Sequence, residues 1–119
     1  MIGIDIVVIS RIEKMIEKFG EKALRRFLND DEMRLIKSPS TASGFWAAKE
    51  AASKAIGTGI GKECSFYDIK ITKTKENAPK IKYKKRLRKK FRIQNSSLSI
   101  THDGGFAIAV VAIELKKKK

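Results

Sequence analysis

The chain has 119 residues, 42% of them hydrophobic, which predicts one folded domain and argues against intrinsic disorder. No apolar run approaches the ~18 residues that a membrane span needs, and the N-terminus lacks the basic segment of a signal peptide. The single cysteine, Cys64, excludes an internal disulfide and a cysteine-based zinc cluster and favours the cytoplasm.

The net charge of +14 has two local sources. Residues 80–92 hold nine Lys or Arg and no acid, and residues 116–119 are four lysines. Without these 13, the 27 basic residues fall to 14, against 13 acidic ones. A basic cluster attracts any anion, so the charge alone does not choose between nucleic acid, acidic protein and phosphorylated ligand.

The first half of the chain predicts one strand followed by helices. Residues 2–9 are apolar and β-branched apart from Gly3 and Asp5, which predicts a buried strand. Ser10 with Glu13 three residues later matches a capping box, and Gly20 marks the end of that helix. Further elements are predicted as short helices over 22–28 and 31–36, a loop over 38–41 and a longer alanine-rich helix over 42–56 that ends at Gly57.

The second half predicts strands around a basic helix. A glycine-rich loop over 57–61 comes first. Strands are predicted over 66–72, 80–84, 98–101 and 106–115, with a turn over 75–79 and a basic helix over 85–92. Gly104-Gly105 predicts a tight hairpin between the last two strands. The last strand has no polar residue over 107–113, so both of its faces should be buried, either by a second copy of the chain or by helices on both sides.

Two carboxylates stand out as candidates for chemistry. Asp5 lies in an apolar strand, where a charge costs several kcal/mol unless it is paired or binds a metal; the alternative is a capping role at a strand end. Glu50 shares one helical face with Trp46 and Lys54, at spacings of four residues. The alternative role of Glu50 is a surface ion pair with Lys54, which would contribute ~0.3–0.5 kcal/mol to helix stability.

The remaining candidates are weaker on their own. The loop over 57–61 could bring backbone amides to phosphates, but it has neither the P-loop ending nor the dinucleotide fingerprint. His102 is the only histidine, which excludes a multi-histidine metal site and favours a structural role. Cys64 has no motif around it and favours packing over nucleophilic catalysis.

Three blocks together resemble the holo-acyl-carrier-protein synthases. Residues 3–12 are similar to the opening of that family, 47–60 to its central signature and 99–102 to its C-terminal motif, while 66–69 fit the strand between. There are two departures. Phe45-Trp46 replaces the usual Arg-Phe pair, which leaves a phosphate contact either lost or supplied by residues 80–92, and Asn77-Ala78-Pro79 replaces the usual Gly-Lys-Pro turn.

This resemblance implies a fold and a reaction. The fold is α+β, with a small, mainly antiparallel sheet packed against helices, in one domain over 1–119 with a basic tail at 116–119, and with the sheets assembling around a trimer axis. The reaction transfers 4′-phosphopantetheine from coenzyme A to a serine of apo-acyl carrier protein for fatty acid biosynthesis. It requires Mg²⁺ and releases adenosine 3′,5′-bisphosphate.

The resemblance also implies roles for individual residues. Asp5 and Glu50 match the magnesium ligands, and Glu50 or a metal-bound water takes the proton of the serine. Lys54 acts on the leaving group. The residues implied to bind coenzyme A are Lys54, Gly57, Thr58, Gly59 and His102. Those implied to dock the acidic carrier protein are Arg11, Lys14 and Arg25.

The expected partners are therefore coenzyme A, an acyl carrier protein and two further copies of the chain in a homotrimer, without a membrane or nucleic acid. The alternative is a small basic nucleic-acid-binding module that uses residues 80–92. That alternative explains the charge but does not explain Asp5, Glu50 or the central signature over residues 47–60.

Overall fold

The two most apolar segments of the chain pair with each other in the main sheet of the computed structural model. The structure describes residues 1–117; Lys118 and Lys119, the end of the predicted basic tail, lie outside the described residues. The strands are β1 (Ile2–Val8), β2 (Ile69–Lys73), β3 (Pro79–Tyr83), β4 (Ile93–Asp103) and β5 (Phe106–Leu115). The helices are α1 (Ile9–Phe19), α2 (Glu21–Arg25), α3 (Asp30–Met33), α4 (Pro39–Ile56) and α5 (Lys85–Phe91), with a 3-10 helix over Phe66–Asp68.

Both sheets are antiparallel. The larger has the order β1-β5-β4, so β5 is central, and the smaller pairs β2 with β3. Residue Ala109 of β5 faces Asp5 on one side and Ile100 on the other. Helix α4 packs across one face of the larger sheet. The predicted α+β class is confirmed, and no helix within residues 1–117 has the length and hydropathy of a membrane span.

A glycine lets β1 lie directly against α4. A Cβ atom added to Gly3 would lie 1.9 Å from the carbonyl oxygen of Ala51 and 2.6 Å from the backbone nitrogen of Ala55. The facing side of α4 presents small side chains, which are almost completely buried: Ala47, Ala48, Ala51, Ala52 and Ala55. Close contact between two backbones therefore fixes how residues of β1 meet residues of α4.

We expect Gly3→Ala to destabilise the protein by about 3 kcal/mol or more, because the added methyl would overlap helix backbone that cannot move alone. Urea unfolding measures this cost. Gly61→Ala is the matched control, since nothing lies within 4 Å of a Cβ there and Gly61 is not among the glycines with positive φ. Equal stability of the Gly3 variant and the wild type would contradict the close approach of β1 and α4.

The larger sheet has one covered and one open face. Inward residues of β5 are fully or almost fully buried: Ala107, Ala109, Val111 and Ile113. On the other face, Ile2, Ile4, Ile6 and Val8 of β1 are 45–74% exposed, and Val110 of β5 is 39% exposed. The prediction that one chain could bury β5 with helices on both sides is therefore wrong. The open apolar face leaves the other alternative, a further copy of the chain.

Three local predictions are also wrong. The helix α1 begins at Ile9 with Val8 as its N-cap and has no side-chain cap, so Ser10 is a helical residue. The reason is that β1 continues directly into α1, and the Ile9 N–H donates to the carbonyl of Gly105 at 2.9 Å.

The other two misassigned segments are helix starts. Residues 39–41 form the first turn of α4, because Ser38 caps the helix through the Thr41 N–H and Pro39 takes the first helical position. Residues 66–68 form a 3-10 turn held by the Asp68 carboxylate, which accepts from the Ser65 N–H at 2.9 Å, and the strand starts only at Ile69. The predicted ends of α1 and α4 at Gly20 and Gly57 are confirmed.

Candidate active site

The crossing of β1 and α4 brings together three of the predicted residues. Asp5 lies in the middle of β1, on the side that faces α4, so its alternative role at a strand end is wrong. Its side chain is 13% exposed, and its Oδ1 accepts a hydrogen bond from Lys54 Nζ at 2.9 Å. The same ammonium group donates to the carbonyl of Ile4 at 3.3 Å. The partly buried carboxylate is thus neutralised by a lysine from the last turn of α4.

Glu50 lies beside this pair. Partial burial raises the pKa of the Glu50 carboxyl, and the negative charge of Asp5 raises it further, against the opposing charges of Lys54 and Arg11. Within the described residues, Lys54 pairs with Asp5 and not with Glu50, so the predicted surface pair on α4 is not formed. Two carboxylates therefore share one site and only one of them has a bonded cation.

This pair suits a magnesium ion that completes its shell from a substrate. Mg²⁺ takes one or two carboxylates together with phosphate oxygens and waters. Among residues 1–117 no group of three or more His, Cys, Asp or Glu side chains could hold a metal. Asp5 and Glu50 therefore fit a hard cation that needs phosphate ligands, and they do not fit an all-protein metal cage.

An aromatic wall adjoins the two carboxylates. Trp46, one turn before Glu50, packs its ring 5.0 Å from that of Phe27 and 4.8 Å from that of Phe66. The guanidinium carbon of Arg11 lies 5.7 Å above the Trp46 ring. The interaction holds the Arg11 charge near Glu50. The sequence placed Trp46 on the face of Glu50 but gave no sign of its contact with Arg11.

Lys49, the residue before Glu50 in α4, forms a buried ion pair that the sequence did not predict. The side chains of Lys49 and Glu32 are both 0% exposed, with Lys49 Nζ 2.8 Å from Glu32 Oε1. The ammonium group also donates to the carbonyls of Phe27 at 2.7 Å and Phe66 at 3.0 Å. Glu32 Oε2 accepts from the Ile71 N–H at 2.8 Å. A lysine among the buried alanines of α4 was the available signal.

Three amides of the glycine-rich loop cap the preceding helix. The N–H groups of Gly57, Thr58 and Gly59 all point at the carbonyl of Ser53, at 3.0–3.2 Å, where they cap α4. The C-terminal end of a helix also carries negative partial charge, which disfavours phosphate. These three amides therefore cap α4 within the chain, and the contact of Gly57, Thr58 and Gly59 with coenzyme A stays a prediction; the positive φ angles of Gly57 and Gly59 explain the two glycines.

Cys64 is a packing residue. It is completely buried, and burial raises the pKa of its thiol to about 11. It is therefore protonated at neutral pH and unsuited to nucleophilic catalysis.

His102 lies away from the carboxylates. Its Nε2 is 2.8 Å from the carbonyl oxygen of Ser40, in the first turn of α4. Ser40 and Lys54 are 14 positions apart on this helix, which is about 21 Å along its axis. Within one chain, the structure therefore separates His102 from the residues at the β1–α4 crossing.

His102 opens onto a basic cleft of about 280 Å³. Phe45 and Lys73 line the same cleft, and a second cleft of about 340 Å³ shares Lys73 and adds Arg34 and Lys37. Phe45 itself is buried. Phe45 stands at the position where the family usually has an arginine. The cation that lines the same cleft is Lys73, and no residue of the 80–92 segment lines it.

The three docking candidates differ in their surroundings. Arg11 contacts Trp46, as described, and Lys14 is exposed on α1 with no ion pair in the described part of the chain. Arg25 instead pairs with Glu21 at 3.1 Å and Asp30 at 2.6 Å. Because its charge is already neutralised, Arg25 is the weakest of the three.

Comparisons with known proteins agree on one family. The sequence model of the 4′-phosphopantetheinyl transferase superfamily matches residues 1–111. The holo-[acyl-carrier-protein] synthase of Aliarcobacter butzleri is 70% identical over 118 residues, 99% of this chain and 100% of the relative. A crystal structure of the Helicobacter pylori synthase in complex with coenzyme A superposes with a TM-score of 0.93 at 54% identity, covering 96% of this chain and 100% of that one. The Neisseria meningitidis synthase superposes with a TM-score of 0.85 at 32% identity, over 95% and 96% of the two chains.

Proposed function

The chain belongs to the 4′-phosphopantetheinyl transferase superfamily and, within it, to the holo-[acyl-carrier-protein] synthases, and from this we propose that it moves 4′-phosphopantetheine from coenzyme A to a serine of an apo-acyl carrier protein with the help of Mg²⁺. The observation that carries the proposal is the meeting of Asp5, Glu50 and Lys54 where β1 crosses α4. The modified carrier serves fatty acid biosynthesis, and a buried free thiol at Cys64 suits a reducing cytoplasm.

The reaction is a displacement at phosphorus. The serine oxygen attacks the phosphorus that carries pantetheine, the bond to the bridging oxygen breaks, and adenosine 3′,5′-bisphosphate leaves. Asp5 and Glu50 would hold the magnesium ion, which when bound neutralises charge on the pyrophosphate. Lys54 lies one turn beyond Glu50 and stabilises or protonates the leaving group. The raised pKa of Glu50 suits it to accept the proton of the serine.

We assign the rest of the site to a neighbouring subunit of a homotrimer. The open apolar face of β1 and β5 requires a cover, and a second copy of the chain supplies one. Ser40, which holds His102, and Lys54, which holds Asp5, are about 21 Å apart along α4, which is farther than the phosphates of one coenzyme A lie from each other, so we assign His102 and the carboxylates of one site to different chains. Coenzyme A therefore lies between subunits, with its reacting pyrophosphate at Asp5 and Glu50 and another phosphate at the His102 cleft of the next chain.

Lys73 takes the place of the arginine that the family usually has at position 45. It lines the His102 cleft from β2, beside the buried ring of Phe45. Its ammonium group supplies a point charge for phosphate without the fork of a guanidinium. The phosphate contact that Phe45 of α4 cannot make is thus supplied by Lys73 of β2.

Incubation with coenzyme A and a purified apo-acyl carrier protein tests the proposed function. Intact-mass spectrometry should show the carrier gaining the mass of one phosphopantetheine when Mg²⁺ is present and none when EDTA removes it. Modification that proceeds equally well in EDTA would contradict the role of the metal, and no modification of any acyl carrier protein would contradict the transfer.

We expect Arg11→Glu to raise the KM for carrier protein on the order of tenfold, because it reverses a charge that meets an acidic partner. The KM for coenzyme A should stay within about twofold. Steady-state kinetics over a range of pH separate docking from catalysis, because the loss of the Arg11 charge also raises the pKa of Glu50, whereas a docking effect changes the KM for carrier protein at every pH. Lys89→Glu is the control on a distant exposed helix. A larger effect of Lys89→Glu than of Arg11→Glu would transfer the docking role to α5.

A further inference from the structure

The basic segment of residues 80–92 has no part in the proposed transfer, yet the structure folds it into one concave surface. Two adjoining clefts of about 280 and 420 Å³ share Arg88 and Ile93. Seven cations line them, from β3, from α5 and from the residues directly after α5 and β5. They are Lys80, Lys82, Lys85, Arg88, Lys89, Arg92 and Lys116. We call this surface the basic groove.

The cations of the groove are not neutralised by the protein. None of them forms an ion pair within residues 1–117, and neither cleft is lined by a carboxylate. The other cations of α5 are paired, Arg86 with Asp68 at 2.5 Å and Lys90 with Glu63 at 3.2 Å. Helix α5 thus uses one side to attach itself to the protein and leaves the other side open and charged.

The start of the open side of α5 is electrostatically unfavourable for an isolated helix. The helix has no acid in its first turn and no side-chain cap, so Lys85 lies at the positive end of its dipole, whereas Arg88 and Lys89 lie in the last turn, where a positive charge is favourable. Lys85 and Lys89 are like charges four positions apart, and Arg92 adopts the left-handed conformation with φ of 57°. Departures from local conformational and charge preferences are expected at functional sites, and a bound anion would offset the repulsion between Lys85 and Lys89.

The chemistry of the groove selects the kind of anion. Its large apolar side chains are turned inward, with Leu87 and Ile93 0% and 4% exposed, so the groove offers no apolar side chain to insert into a bilayer or to anchor an apolar protein surface. Tyr83 is buried, with its hydroxyl 2.8 Å from that of Ser96, so no free ring can stack on an unpaired base. What remains is a set of seven lysines and arginines around two adjoining clefts, a concentration of positive charge that suits the many phosphates of a nucleic acid backbone.

We propose that the basic groove binds the phosphate backbone of double-stranded nucleic acid without sequence preference. This adds a partner that the sequence analysis did not expect for the enzyme, on a surface separate from the carboxylates. The contacts are to phosphates only, which position a duplex but do not read its bases.

Salt-dependent binding of a fluorescein-labelled 20-base-pair DNA duplex, followed by anisotropy, tests the proposal. With up to seven phosphate contacts, log Kobs should fall with log salt at a slope of about −4 to −6. The variant Lys85→Gln/Arg88→Gln/Lys89→Gln should reduce the steepness of that slope by about 3 and weaken binding at least tenfold at low salt. The control Lys18→Gln/Lys22→Gln/Lys75→Gln removes the same net charge from exposed positions outside the groove and should leave the slope within about 1 of wild type.

Three results would overturn the proposal. They are equal losses in both triple variants, tighter binding of a single strand of the same length, and binding of phosphatidylglycerol vesicles in the absence of duplex binding. The assay contains no coenzyme A and no carrier protein, so its outcome is independent of the transfer reaction. Transfer activity of the groove variant should equal that of wild type.

Discussion

Replacing Glu50 by glutamine should lower kcat/KM for phosphopantetheine transfer at least a hundredfold while the protein stays folded. The change keeps the size of the side chain but removes one of the two carboxylates proposed to hold magnesium, and with it the proposed proton acceptor. Carrier modification by intact mass, measured over time, gives the rate. Glu17→Gln on the exposed part of α1 is the control and should leave the rate unchanged.

The same variant should also be more stable than wild type at neutral pH without magnesium. The pKa of Glu50 is raised in the folded protein, so its ionised form opposes folding, and this cost is absent at acidic pH, below the unfolded pKa. Thermal unfolding at pH 8 should therefore show a higher Tm for Glu50→Gln, and the difference should vanish near pH 4. A folded variant with near-wild-type transfer would remove Glu50 from the site.

Lys49→Met should destabilise the protein by about 3–5 kcal/mol, because it leaves the fully buried Glu32 carboxylate without its cation. The carbonyls of Phe27 and Phe66 lose their donor at the same time. Urea unfolding measures the loss. The double variant Glu32→Gln/Lys49→Met should cost clearly less than the sum of the two single variants, because no unpaired charge remains in the core.

A surface pair provides the comparison for this prediction. Arg34 and Asp31 lie 3.0 Å apart with side chains 76% and 58% exposed, so Arg34→Ala should cost at most about 1 kcal/mol. If Lys49→Met cost no more than Arg34→Ala, the buried pair would not hold α3 and β2 against α4.

The sequence was sufficient where one local pattern decided the structure. The glycine stops of α1 and α4 and the bounds of β5 are of this kind. It failed at Ser10, because a hydrogen bond from a distant hairpin replaced the local cap. The same limit applies to the Lys49–Glu32 pair, whose partners are 17 positions apart and meet only in the folded core.

The candidate site was likewise predictable from local patterns only in part. Asp5 and Glu50 stood out because a charge in an apolar strand and an acid in an alanine-rich helix are costly or unusual. Their meeting depends on the close approach that Gly3 permits, which no local pattern expresses. The place of Lys73 beside Phe45 was likewise hidden, since it arises from the packing of β2 against the start of α4.

The proposed site between subunits is tested most directly by combining two variants, Glu50→Gln and His102→Ala, in one proposed trimer. Each variant should be inactive alone, because each removes one side of that site. Each trimer must first show about three times the 13.4 kDa chain mass by light scattering. After co-refolding in equal amounts, about a quarter of the sites should combine an intact Glu50 from one chain with an intact His102 from the next, so transfer should recover to about a quarter of the wild-type rate. A mixture no more active than the two variants alone would contradict a site built from two subunits.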